Sequence, residues 1–435
     1  MSVTARRCLD GPPPPGGHGY GPAVVCLYLR LVLVAGVSLR AAPRVLETVG
    51  RALGLPLPVP HWTTGRLWLL RLGHAMLAGP AGPAGGGDWA WLADHSVQVG
   101  QDKCLVILGV RLADLPEPGR CLRHQDMRLV ELLPADSWTR ADVDRALEAA
   151  AARTGVVPRV IVDDHGVDLN GGVALFQRRH PGTVEIYDAK HKAACLLKGR
   201  LGKDPRWQAF QARAGQARCA VQQTELAFLT PPAPKPKARF MNLGPQLAWA
   251  RRVLAVLRRP RPPVEAGRLA EKLGWLEEFA DDVAEWSQLQ QVSDVAVTLV
   301  NCQGVCRGVA RALAGQYRQL DGLGAGARRL AAELVRFVRS GESKARPGER
   351  FPGSTEVLES CFGKFKQVER QQSRGGFTQL LLGFGAMLAE LTTDTVRDAL
   401  AASRTADVRE WAARTLGVTL FAQRKQAFAG ATEGG

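Results

Sequence analysis

At 435 residues, 46% hydrophobic and 23% charged, the chain has room for two or three domains and the apolar content of an ordinary globular protein. Its 57 Lys and Arg against 41 Asp and Glu give a formal charge of +16, which suits a polyanionic partner and fits nucleic-acid-binding, ribosomal or membrane-surface proteins alike. The nine cysteines form no CxxC and no Cys/His array, which argues against a zinc module and suits a reducing cytosol; Cys302 and Cys306, the closest pair, read as a helical core feature.

The first 22 residues are Pro/Gly-rich and read as a disordered tail, a poor start for a signal peptide. Residues 23–37 are apolar but short, and Arg30 interrupts them, so no membrane span is expected. The region 23–85 reads as a helical domain with a linker. Ser38 caps a helix through Val45, Val49 and Leu53 to Gly54, and a second helix over 63–72 follows Pro56, Pro58 and Pro60. With Arg66, Arg71, Trp62 and Trp68, this pair is a candidate helix-turn-helix that would contact DNA. Residues 80–87 form the linker.

The next stretch alternates. Trp91, Ala93, His95, Val97 and Val99 fall on one face, and Leu92, Asp94, Ser96 and Gln98 on the other, which predicts a half-buried strand over 89–99. Asp94 sits in mid-strand, where propensity disfavours it, and this marks it as a candidate functional carboxylate. Strands over 104–112 and 128–133 follow, then a helix over 140–153 opened by Thr139 with Asp142 three residues on. The β-branched run 158–162 predicts a buried strand ending in Asp163, Asp164 and, after His165, Gly166 and Val167, Asp168. Carboxylates at the C-terminal end of such a strand face the usual ligand crevice of an open α/β sheet. Three Asp within six positions leave open which of them serves. A helix over 171–179, a strand over 184–188 and a helix over 189–199 complete the block.

Residues 201–352 read as a mostly helical insertion, with helices over 269–289, 292–314 and 325–338. Between Pro231 and Pro263 there are eight basic residues and no acid: Lys235, Lys237, Arg239, Arg251, Arg252, Arg258, Arg259 and Arg261. With Phe240 and Trp249 interleaved, this is a candidate DNA-backbone surface. Glu277, Glu278, Asp281, Asp282 and Glu285 read as a solvated or protein-contacting helix face rather than a metal site, and Trp275 and Trp286 as core. Beyond Gly353, Val357, Leu358, Cys361, Phe362, Phe365 and Val368 form one helical stripe. Glu359 and Lys366 lie opposite it, two turns apart on one polar face, a spacing at which an acid can hold a cation and the Lys a phosphate. Residues 401–435 are expected to hold closing helices.

The blocks Trp91-Leu-Ala-Asp94-His-Ser-Val-Gln-Val-Gly100, Asp164-His-Gly-Val-Asp168-Leu169 and Glu359-Ser-Cys-Phe-Gly-Lys-Phe-Lys366, in this order, resemble bacterial insertion-sequence transposases of the DDE class. Asp164-His165-Gly166 resembles the Asp-Asn-Gly step of retroviral-type integrases, and this resemblance makes Asp164 the preferred second acid with Asp168 in reserve. The resemblance covers under half of the chain. Some relatives carry a Tyr seven and an Arg four residues before the Glu; here these are Pro352 and Thr355, so hairpin-forming chemistry is not carried over. The resemblance implies a ribonuclease-H-like α/β fold of order β-β-β-α-β-α-β-α over 86–200 and 353–400, interrupted by the helical insertion. It further implies Asp94, Asp164 and Glu359 as catalytic ligands of two Mg²⁺ or Mn²⁺ ions, with Lys366 on DNA. Double-stranded transposon-end and target DNA, at least a homodimer in the synaptic complex, and a cytoplasmic, nucleoid-associated setting go with it. The other expectations kept open are a non-catalytic DNA-binding regulator, a decayed transposase and a structure-specific nuclease on the same fold.

Overall fold

The computed structural model describes residues 19–55, 57–79, 88–99, 102–233, 239–241, 243–259, 265–371, 377–417 and 428. Most of the Pro/Gly-rich tail, the 80–87 linker, Lys235, Lys237, Arg261 and the chain beyond 417 except Phe428 lie outside them. The described residues divide into two compact units. The first takes residues up to 116, 122–185 and from 355 onward; the second takes 117–121 and 186–354.

In chain order the first unit opens with α1 (Pro22–Leu33), α2 (Ala42–Leu53) and α3 (Trp62–Ala78). Then come β1 (Trp89–Val99), β2 (Asp102–Arg111), β3 (Arg128–Ala135), α4 (Arg140–Thr154), β4 (Val160–Asp163), α5 (Val167–Arg179) and β5 (Val184–Tyr187), whose last two residues are counted with the second unit. The strands form a mixed five-stranded sheet of order β3-β2-β1-β4-β5. β1 and β2 pair antiparallel in long register, as their alternating sequences and short connection require. β1 and β4 pair parallel, Ala90 with Val160 and Leu92 with Val162, so α4 is the crossover between the antiparallel meander and β4.

The pleat sends Trp89, Trp91, Ala93 and Ile161 to one face, where they pack on Val143 and Leu147 of α4 and Leu169, Val173 and Phe176 of α5. Thr139 and Asp142 form the expected capping box at the start of α4, and Gly155, at φ 67°, ends it. Ala90, Leu92, Val160 and Val162 are buried on the opposite face. That face is covered by helices from both ends of the unit: α3, then α13 (Glu356–Glu369), the short α14 (Gly383–Ala386), α15 (Thr393–Ala402) and α16 (Thr405–Leu416), of which α3 packs on β3 and α13 on β1. Leu129 of β3, paired with Leu108, meets α14 at Gly385.

α3 is therefore a core helix. Trp68, Leu69, Leu70 and Leu72 are buried, and α14, α15 and α16 pack around it. The helix expected to read DNA in a helix-turn-helix thus has no free face of the kind a major groove needs. Arg71 is correspondingly buried: its Nε donates to the Ser403 carbonyl at 2.5 Å, and its Nη2 donates to the Leu400 carbonyl at the end of α15. It closes orphan helix-end carbonyls, and DNA contact by Arg71 is set aside on that ground. Arg66 is half-buried on the same helix.

The second unit is helical: α6 (Ala189–Leu201), α7 (Pro205–Val221), α8 (Leu243–Arg258), α9 (Ala266–Leu273), α10 (Ala280–Gln303), α11 (Val309–Arg318) and α12 (Ala325–Glu342), with β6 (Val305–Cys306) and β7 (Arg350–Phe351) pairing antiparallel. The helix predicted over 269–289 is broken by a 3-10 turn over Gly274–Phe279, and the one over 292–314 ends at Gly304, whose φ of 74° takes it out of helix. Trp207, Phe210, Phe279 and Trp286 form its aromatic core. In the acidic stretch Arg206 reaches Asp282 at 2.6 Å and Arg213 reaches Glu278 at 2.7 Å, while Glu277, Asp281 and Glu285 are exposed.

Two results follow from the first unit. A Cβ on Gly73 would fall 1.7 Å from the Leu382 carbonyl oxygen, whereas Gly363 on α13 has open space. Gly73→Ala is expected to destabilise by about 1–3 kcal/mol, and Gly363→Ala to stabilise by about 0.5–1 kcal/mol, both read by denaturant unfolding. Burial holds the His74 imidazole below its usual range, with Asp407 pulling the other way. It stays neutral in the fold and gains a proton on unfolding. Stability from this group is therefore full above roughly pH 6.5 and is lost as pH falls below it. His74→Gln should flatten that slope in unfolding midpoints measured between roughly pH 5 and pH 7.5.

Candidate metal-binding site

Asp94 lies mid-strand on β1 and is only 8% exposed. By alternation it shares the face of Ala90 and Leu92, the one that α13 covers. Its Oδ1 accepts the His95 N–H at 2.6 Å. A carboxylate buried in mid-strand carries a desolvation cost that cations or donors must offset. Asp164 is the first residue past β4. The β1–β4 register runs as far as Leu92 and Val162, two residues before Asp94 and Asp164. Its Oδ1 accepts the Gly166 N–H at 2.8 Å. Glu359 stands half-buried in the first turn of α13, where helix N-terminal N–H groups favour an acid, and Lys366 is exposed two turns on. β1, the end of β4 and α13, all within the first unit, thus carry the three expected acids.

Asp168, the reserve, has its Oδ2 3.7 Å from His95 Nδ1 and 3.8 Å from Lys103 Nζ. Its charge is therefore partly balanced by the protein. Asp164 and Asp168 flank Gly166: a Cβ there would meet Asp164 Oδ1 at 3.1 Å and Asp168 Oδ1 at 3.3 Å, so glycine keeps the space between them clear. Burial is the main cause that holds the His95 ring below its usual pKa, opposed by Asp168, assisted by Lys103 and opposed again by Asp164.

The structure adds a group that sequence reading did not propose. Asp163, His165 and Glu185 each offer a ligand atom, all within 4.8 Å of one another, and this is the three-ligand cluster found among the described residues. Asp163 is buried, Glu185 half-buried and His165 exposed. His165 Nε2 lies 2.8 Å from Glu185 Oε1, and the His165 N–H donates to Asp163 Oδ1 at 2.7 Å. The group could bind a metal ion. It also pins the turn that carries Asp164, because His165 stands at φ 61°, a left-handed conformation unusual for a non-glycine residue. Asp163 and His165 are visible in the sequence as an Asp-x-His step, but Glu185 comes from the neighbouring strand and no local spacing announces it.

Of the candidate DNA contacts, Arg251, Arg252, Arg258 and Arg259 are exposed on α8 or directly after it. Lys235, Lys237 and the side chain of Arg239 lie outside what is described. Trp249 does not interleave with them: it is buried, and its indole N–H donates to the Leu229 carbonyl at 2.7 Å. Among the described residues no helix is long and apolar enough to cross a membrane. No protein-family model matches the chain, and no curated protein matches it either.

The His165 backbone gives a test of the turn. His165→Gly keeps the left-handed conformation accessible, while His165→Val should cost about 1–3 kcal/mol more. Chemical denaturation of the two variants side by side reads the difference, and equal midpoints would show that the turn relaxes without cost.

Proposed function

We propose that the chain is a DNA transposase of the DDE class, cutting and joining phosphodiesters with Asp94, Asp164 and Glu359. The observation that carries the reading is topological. A meander whose first strand bears a buried acid pairs parallel with a strand followed directly by a second acid, and a helix from a distant part of the chain that carries a third acid packs on that first strand. This order supports a ribonuclease-H-like reading, with the helical second unit as its insertion.

The donor set is all carboxylate oxygen, which fits hard divalent cations such as Mg²⁺ or Mn²⁺. When bound by Asp94, Asp164 and Glu359, two such ions supply nucleophile activation and leaving-group stabilisation. The chain's own part is positioning and charge. The β1–β4 pairing would bring the two strand acids toward one another, Gly166 keeps the space between Asp164 and Asp168 clear, and Lys366 would neutralise a phosphate near Glu359. The exposed arginines of α8 extend the basic surface to flanking DNA, with a dimer or larger assembly holding two ends.

The burial of α3 favours one second reading, a structure-specific nuclease on the same fold, since the expected end-reading helix is committed to the core. Cleavage of labelled duplex carrying the gene's own flanking ends, with Mg²⁺ or Mn²⁺, separates the two. Nicking at the ends followed by strand transfer is expected from wild type. Asp94→Asn, Asp164→Asn and Glu359→Gln should each lower it by a factor of at least ~10³, while Lys366→Ala weakens binding with a shallower salt dependence. Cutting without end preference would support the nuclease. Binding without cutting in wild type would point to a regulator or a decayed enzyme.

A further inference from the structure

Within the second unit, residues 117–121 pack against the C-terminal end of α10. The Gly119 N–H donates to the Cys302 carbonyl at 2.8 Å, and Gly119 takes a φ of 100° to do so. That one bond sets the register that brings Cys121 over Cys302, with the two Sγ atoms 2.7 Å apart. They need move little to reach the covalent distance of about 2.05 Å. Cys121 is exposed and Cys302 half-buried, and a groove of about 820 Å³ opens on Cys302 between α8 and α10, lined also by Gly119 and Arg251. Small oxidants therefore have access to both sulfurs. Of the other described cysteines, Cys26, Cys104 and Cys361 are buried, and burial raises their thiol pKa values, which suppresses the reactive thiolate.

We propose that Cys121 and Cys302 are a reversible disulfide site, oxidised by a two-electron oxidant of the peroxide class. The Cys121 thiolate attacks one peroxide oxygen, breaks the O–O bond and forms a sulfenic acid, with the second oxygen leaving as water after protonation. The Cys302 sulfur then attacks the sulfenic sulfur, the S–S bond forms, and the sulfenic oxygen leaves as a second water. Overall two thiols and one hydrogen peroxide give one disulfide and two waters. A dithiol reductant reverses it by exchange. The bond would staple the 117–121 segment, which joins β2 to β3, to the end of α10, closing a long loop of chain.

The test uses the full chain treated with hydrogen peroxide, then alkylated and digested without reduction. A Cys121–Cys302 linked peptide is expected in wild type, independent of protein concentration and absent after dithiothreitol. The unfolding midpoint of the oxidised form should rise by roughly 5 °C or more over the reduced form. Cys121→Ser and Cys302→Ser should each abolish both effects, and Gly119→Val should slow the coupling, because the strained turn no longer holds the register. Full alkylation of both thiols at peroxide doses that already oxidise exposed Cys195 would overturn the proposal. So would a dominant pairing elsewhere, such as Cys302 with Cys306.

Discussion

The parallel pairing of β1 with β4 is the constraint on which the rest of the first unit depends. Three paired positions, ending at Leu92 and Val162, settle which residues of two sequence-distant strands stand side by side. Because side chains alternate with a period of two, a slip of one residue would send Asp94 into the α4 and α5 core and Trp91 and Ala93 to the other face. The register is held by bulk: Trp89, Trp91, Ile161 and Phe176 fit only on the face they occupy. Asp94 inherits its placement from this apolar fit, which none of the proposed site residues supplies.

The covering layer on the acid-bearing face imposes a second constraint. α13 brings Glu359 to the unit from the far side of the second unit's sequence, and it is wedged by Phe362 and Phe365 against Phe384 of α14. α14 in turn crosses α3 at Gly73 and Gly385, where only glycine permits the backbone approach. The N-terminal helices thus belong to the same body as the sheet and support the helix that bears the third acid.

Much of this was legible in the sequence. The alternation around Asp94, the Thr139 and Asp142 box, the β-branched run before Asp163 and the stripe of α13 each report a local physical preference, and the elements appear where those preferences put them. What was not legible arises from contacts between distant segments. α3 looked like a basic recognition helix because of Arg66 and Arg71. Its run Leu67-Trp68-Leu69-Leu70 is apolar on every side, which is the signature of a buried helix and outweighed the two charges. Trp249 sits among arginines in sequence but on the inward face of an amphipathic helix. The Asp163, His165 and Glu185 group needed the pairing of β4 with β5 before it could be seen at all.

Two groups are candidates for a cation: the proposed Asp94, Asp164 and Glu359 set, and the Asp163, His165 and Glu185 cluster at the end of β4. The most direct measurement replaces the divalent ion with Fe²⁺ and maps where hydroxyl radicals, generated with ascorbate and peroxide, cut the protein backbone. The account requires cuts in three separate segments, around Asp94, around Asp164 and around Glu359, all suppressed by excess Mg²⁺. Cuts confined to the segments around Asp163, His165 and Glu185, with β1 and α13 untouched, would contradict it.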